Sequence, residues 1–293
     1  MSNSLLEGVS LGPNCPPIHS LLFADDLLIC GKATIQESLV VKQTLDIFCS
    51  WSGQTPNWSK SGIIFSKHAQ PAEIDGIKLV FPVPEMDHSF SHLGHPLILP
   101  AKNRAAAYNF IFDKFSFKLS SYKADKLSHA ARLELIRSVF SSIPVYYMSN
   151  ILFTKKFLAK LNAIIRNFWW TGVREETTNR SLCLRAWKDI CTPKAEGGLG
   201  IRNLYAVNKG LILMAAWRLA ANPDDTLHKA LQSKYFPNSS IWRPSLNVLK
   251  SAFWASILKV LPTPPIPSIK SPVETSPSGT LPGALPSPQF MII

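Results

Sequence analysis

Leu21-Leu22-Phe23-Ala24-Asp25-Asp26-Leu27-Leu28-Ile29 sets two adjacent carboxylates inside an otherwise apolar run. An ionised Asp loses several kcal/mol on leaving water unless a cation or a donor compensates, so this run cannot be a strand buried through its centre. The apolar arms read instead as the two strands of a hairpin over about 21–30, with the aspartates at its tip. Two readings of the tip stay open. Asp-Asp is a common turn dipeptide and needs no metal to explain it. Clustered carboxylates are also what a two-metal site requires, holding two Mg2+ ions about 3.5–4 Å apart to activate the attacking oxygen and stabilise the leaving one. A DDxxD metal motif fits poorly, because Leu27, Leu28 and Ile29 follow Asp26 and bring no third carboxylate to the same helical face.

Outward from the hairpin, the chain changes character. Residues 1–20 carry Gly12, Pro13, Pro16 and Pro17 and read as a loose extended leader. Thr34–Trp51 is predicted helical, with a Thr34 cap, Glu37 three residues on, and Ile35, Leu39, Val40, Leu45, Ile47 and Phe48 at mostly helical spacing. Gly62–Ser66 and Lys78–Pro82 are short β-branched or aromatic runs bounded by breakers, and are predicted as strands. From about Asn103 helices dominate, over 103–119 and 128–141, the latter ended by Pro144. Phe157, Leu158, Leu161, Ile164, Ile165, Phe168 and Trp169 share one face of the next helix, accompanied by Lys155, Lys156, Lys160 and Arg166. Such a helix is buried on one side and turns its bases to phosphate or to water.

Gly197-Gly198-Leu199-Gly200 lacks the Gly-Lys-Ser/Thr of a P-loop and reads as a turn before a helix at 203–220, lined by Leu204, Val207, Leu211, Met214 and Trp217. Asp224-Asp225 after Pro223 is a turn and cap for a helix at 226–235, not a metal site. Past Leu261, nine of the chain's 23 prolines crowd into a segment with one base and one acid. Too few large apolar side chains are present there to offset about 1–2 kcal/mol of backbone entropy per ordered residue, so it is expected to stay disordered. The fold class expected is α+β: a leader at 1–20, a mixed region at 21–100, a basic helical region at 101–260 and a Pro/Ser-rich tail at 261–293.

Charge supports this division. Residues 1–60 hold 3 bases and 5 acids, 61–260 hold 27 and 13, and 261–293 one of each, so the net +12 comes from the centre. A polyanionic partner fits that concentration, since each phosphate neutralised releases counterions. Phe168, Trp169, Trp170, Trp217 and Tyr235 offer rings that can stack on bases, though at helical spacing core packing is their default. Cys15, Cys30, Cys49, Cys183 and Cys191 form no CxxC pair, which argues against zinc and, with an odd count, for reduced intracellular thiols. No basic region precedes the first apolar run, and Asp25-Asp26 interrupts it, so neither a signal peptide nor a membrane span is expected.

The order of blocks adds a family. From Pro16-Pro17-Ile18-His19-Ser20 through Asp25-Asp26 to Gly31-Lys32-Ala33, the chain resembles the metal-binding segment of a plant LINE-type (non-LTR) retrotransposon reverse transcriptase. Ser52-Gly53 with Asn57-Trp58-Ser59-Lys60-Ser61, and His92-Leu93-Gly94-His95-Pro96-Leu97, resemble the following palm blocks. Leu127–Arg132, Leu135–Val139, Ile143-Pro144, Phe168-Trp169-Trp170, Trp187–Cys191, Lys194–Arg202 and Ser233–Phe236 are similar to its downstream helical region. The chain departs at His19-Ser20, where the family reads Ser-His, and at His92, where it reads Tyr.

The resemblance implies a partial reverse-transcriptase palm followed by a thumb-like helical region, with RNA-templated DNA synthesis as the ancestral reaction. It makes Asp25 and Asp26 the Mg2+ ligands and catalytic pair, Lys60 a contact to the incoming nucleotide's phosphates, and RNA template with DNA primer or target DNA the partners. Retrotransposition implies a nuclear location, with no membrane. The fingers and the first palm strand, which brings a further catalytic Asp, have no counterpart here, and residues 1–24 hold only Glu7 as an acid. The expectation is a catalytically incomplete fragment that polymerises only if the missing portion is supplied in trans. A non-enzymatic RNA- or DNA-binding protein, or a decayed fragment without function, are the alternatives.

Overall fold

The computed structural model describes residues 6–12, 15–86, 91–97, 99–100, 104–122, 126–172, 183–244, 248–261 and 289–292. They fall into two compact units: one of residues 1–97, 224–246 and 263–293, the other of 98–223 and 247–262. In chain order the elements are β1 (Ser20–Phe23), β2 (Asp26–Lys32), α1 (Ile35–Ser52), β3 (Ile63–Phe65), α2 (Pro71–Val80), β4 (Ser91–His92), β5 (His95–Pro96), α3 (Phe110–Ser121), α4 (His129–Leu135), α5 (Val145–Met148), α6 (Lys155–Thr171), α7 (Trp187–Ile190), α8 (Leu204–Ala221), α9 (Thr226–Tyr235), α10 (Ala252–Val260) and β6 (Gln289–Ile292).

The first unit is built on a four-stranded sheet in the order β1-β2-β6-β3. β1 and β2 form the hairpin expected from the sequence, in the register Ser20↔Ile29 to Phe23↔Asp26. α1 starts where Thr34 Oγ1 accepts the Glu37 N–H, and stops at Gly53, whose φ of 70° lets its N–H reach the Cys49 carbonyl. Glu37 turns back to accept the Lys32 N–H at 2.8 Å, which fastens the end of β2 to the first turn of α1. Ile29, Ala33, Val41, Ile63, Ile77, Phe81 and Val83 make the core beneath the sheet.

Three expectations are corrected in this unit. Lys78–Pro82, predicted as a strand, contains the last turn of α2: Pro71 opens that helix and Ile77 and Phe81 follow at i and i+4, both buried. The described part of the leader is not loose, because Val9 and Ile18 exchange backbone hydrogen bonds of 2.9 and 3.0 Å; residues 1–5 and 13–14 lie outside the described residues. The tail expected to be disordered over 261–293 supplies at 289–292 an interior strand of the sheet, paired with both β2 and β3, while residues 262–288 and 293 lie outside the described residues. Two receptive ladder edges offset the ordering cost that the tail's composition alone cannot meet.

The second unit is helical. A 3-10 turn over Arg104–Tyr108 precedes α3, and α4 runs on into a π-helical turn over Ile136–Phe140 before Pro144 starts the short α5. Ile111, Phe115, Leu119, Ile136, Phe140, Phe157, Leu161, Ile165 and Phe168 lie in one core. Asn208, fully buried on α8, donates to the Met148 and Ile151 carbonyls at 2.9 and 2.8 Å and accepts the Phe153 N–H at 2.8 Å. It satisfies the backbone of a segment that leaves α5 with no helix to do so. Within the region 101–260 expected to be helical, residues 224–246, including α9, group with the sheet.

Candidate nucleic-acid interface

Pairing of Phe23 with Asp26 leaves a two-residue loop, Ala24-Asp25. Ala24 has a φ of 51°, a left-handed conformation that costs a residue with a Cβ about 1–2 kcal/mol. Asp25 lies in the loop and Asp26 opens β2; both are exposed and, among the described residues, neither accepts a hydrogen bond or joins an ion pair. The structure therefore brings these two predicted site residues together at a tip. Among the described residues no group of three or more His, Cys, Asp and Glu side chains converges. Two exposed carboxylates without a third donor do not fit a two-Mg2+ centre, whose ions each need several fixed oxygen ligands. Lys60 stands exposed in the turn begun by Asn57, whose carbonyl accepts its N–H at 3.0 Å. No ion pair joins it to either aspartate among the described residues.

The other predicted residues fall on α6. Thr154 Oγ1 accepts the Phe157 N–H at one end and Gly172, with a φ of 67°, closes the other. At about 100° per residue, Lys155, Lys156, Lys160 and Arg166 occupy an arc of about 140° opposite the buried Phe157, Leu158, Leu161, Ile165, Phe168 and Trp169. Aromatic rings brace two of these bases. Lys155 Nζ lies 5.8 Å from the Tyr205 ring of α8 and Lys160 Nζ 5.9 Å from the Phe112 ring of α3. On α3, Lys114 Nζ sits 5.2 and 5.1 Å from the rings of Phe110 and Tyr147 and donates to the Tyr147 hydroxyl. A cation within about 6 Å of a ring face is held there without losing its charge.

Charge is divided between the units. The helical unit holds 22 Lys and Arg against seven Asp and Glu, a net +15, and the sheet unit nine against twelve, a net −3. The ion pairs among the described residues, Lys32–Glu7, Lys42–Asp46, Lys78–Glu85 and Lys229–Asp224, all lie in the sheet unit.

No family model matches the chain. It is 33% identical over 138 residues to an Arabidopsis thaliana protein named "Putative ribonuclease H protein", an alignment that covers 47% of this chain and 22% of that one. The chain thus spans about a fifth of that relative's length. A second Arabidopsis thaliana protein, an uncharacterized mitochondrial one, is 33% identical over 118 residues, covering 40% of this chain and 75% of its own length. The chain belongs to the family of this mitochondrial protein.

Within this family member, sequence reading missed Lys114. Its signal was present in part, as Phe110 four residues earlier on the same helix, but Tyr147 lies 33 positions away and only the fold unites the three. Of the residues expected to line α8, Leu204, Val207 and Leu211 do pack on the core, and Met214 and Trp217 do not. The residues of α8 that go inside are Leu204, Asn208, Ile212, Ala216 and Leu219, while Met214 and Trp217 are about two-thirds exposed. Trp169 and Tyr235 are buried, as the core default for aromatics has it. Among the described residues no helix is long and apolar enough to cross a membrane.

Proposed function

We propose that the chain is a retrotransposon-derived polypeptide related to reverse transcriptases, and that it binds RNA or DNA through its helical unit without polymerising by itself. The observation that carries the reading is the division of charge: a net +15 on a unit in which Lys114, Lys155 and Lys160 lie against aromatic rings and, among the described residues, no base is ion-paired. Unpaired cations on a preorganised face exchange their counterions for phosphates, and the rings that hold them are themselves stacking surfaces. Lys114, Lys155, Lys156, Lys160 and Arg166 form the proposed contact.

The Asp25-Asp26 tip supports the relation to polymerases and, equally, the lack of activity alone. Chemistry there requires further carboxylates beside Asp25 and Asp26. The test is binding to single-stranded RNA and DNA titrated with salt. Combined Lys155→Ala, Lys156→Ala and Lys160→Ala is expected to remove about two to three from the slope of log K against log salt. Asp25→Asn with Asp26→Asn is expected to leave binding unchanged. A slope near zero for the wild-type chain, or primer extension that the aspartate variant abolishes, overturns the proposal.

A further inference from the structure

β2 and β3 run parallel on either side of β6 and do not pair with each other, so the inner edge of each is satisfied by one four-residue strand. The two are held one strand-width apart, about 9–10 Å between axes. The frame has its own fastening. α1 connects β2 to β3, and Ile29, Val41, Ile63 and Ile77 lock strands and helices into one core. Glu73 of α2 accepts the Ile35 N–H at 2.6 Å and ties the start of α1 to α2. The strand that fills the frame, by contrast, is separated in sequence from α10 by residues 261–288.

Register shows how little of the frame β6 uses. It pairs with Ile29, Cys30, Gly31 and Lys32, while Asp26, Leu27 and Leu28 of the seven-residue β2 are, among the described residues, paired only on the β1 side. Leu28, Ile29, Cys30 and Ile63 are buried, so the walls of the slot are apolar. We propose that this slot is a strand-binding site: β6 is an exchangeable occupant, and an extended segment of a different polypeptide replaces it. The incoming strand runs antiparallel to both β2 and β3, is apolar on the side facing the core, and is long enough to pair with all of Asp26–Lys32.

Length decides between the competitors. The resident strand has the advantage of its tether, equivalent to an effective concentration on the order of mM. A seven-residue strand adds three ladder positions along β2, and main-chain pairing is what gives strand addition its affinity. A second copy of this chain is the weaker rival, since its 289–292 strand covers no more of β2 than the resident does and must displace a tethered one. The site stands independently of nucleic-acid binding, which uses the other unit.

The register also supplies the test. Cys30 and Met291 are directly opposite, and opposed Cα atoms in antiparallel strands lie within disulfide reach. In the full-length Met291→Cys variant, oxidation joins the two strands, with the bond located by peptide mapping, and reduction frees them. The probe is a fluorescent peptide carrying the Gln289–Ile293 sequence followed by Val-Thr. We expect it to bind the reduced variant at least tenfold more tightly than the oxidised one and to slow amide exchange at Leu27 and Leu28. Met291→Pro, which removes one backbone donor from the resident strand, is expected to raise affinity tenfold over wild type. No binding to the reduced protein at millimolar peptide, or equal binding in both redox states, overturns the proposal.

Discussion

At the scale of single residues, burial fixes which thiols can react. Burial pushes the Cys191 thiol up to about 11 from the ordinary value of 9.0 and raises that of Cys30 as well. At pH 8 the thiolate fraction of Cys191 is then about 100-fold below that of an unburied thiol, and iodoacetamide is expected to label exposed Cys183 well before Cys191 or Cys30. Mass spectrometry of a labelling time course checks the order. The linkage has a definite sign: above pH 9 the unfolded chain releases the Cys191 proton while the folded chain keeps it, so stability falls as pH rises from 9 toward 11. Asn208 is the other decisive residue. Asn208→Ala strands two carbonyls and one N–H in the core, and is expected to cost about 2–4 kcal/mol in denaturant unfolding of the helical unit. Neither role was legible in the sequence, because an Asn inside a helix reads as a weak helix former until the segment it serves, some 55–60 positions away, is known.

At the scale of elements, what could be read depended on whether a signal was local. The hairpin, α1 with its Thr34 cap, α6 with its Thr154 and Gly172 ends, and α9 with its Asp225 cap all follow from residues within a few positions of one another. α2 was mistaken at its end because Lys78–Pro82 alone is rich in β-formers, and the Pro71 start that decides the matter lies seven residues earlier. The strand at 289–292 has no local signal, since its reason for ordering is a pair of edges more than 220 residues back in the chain. The candidate interface was half legible. Four bases on one helix show in the sequence, while the bracing of Lys155 by Tyr205 and of Lys160 by Phe112, and the place of Lys114 against Tyr147, do not. β1 also carries a liability: all four of its residues are exposed, Leu21, Leu22 and Phe23 among them, on the edge of the sheet. Leu22→Lys is expected to raise the concentration at which the chain stays monodisperse in light scattering, without lowering its melting temperature by more than about 2 °C.

At the scale of the whole molecule, the two units differ in charge and in the size of their cores. Among the described residues, seven buried apolar residues make the core under the sheet, against nineteen in the core of the helical unit. Hydrogen exchange is therefore expected to show β1, β2 and β3 opening at lower free energy than α3 and α6. The +15 of the helical unit has a further consequence, which concerns folding rather than recognition. A body whose bases lack acids repels itself, and that repulsion is relieved by whatever screens it. Added salt should raise the melting temperature of this unit, and a polyanion should do so at far lower concentration. On the proposed reading, the lysines of the candidate interface would make a bound polyanion part of what keeps the helices folded.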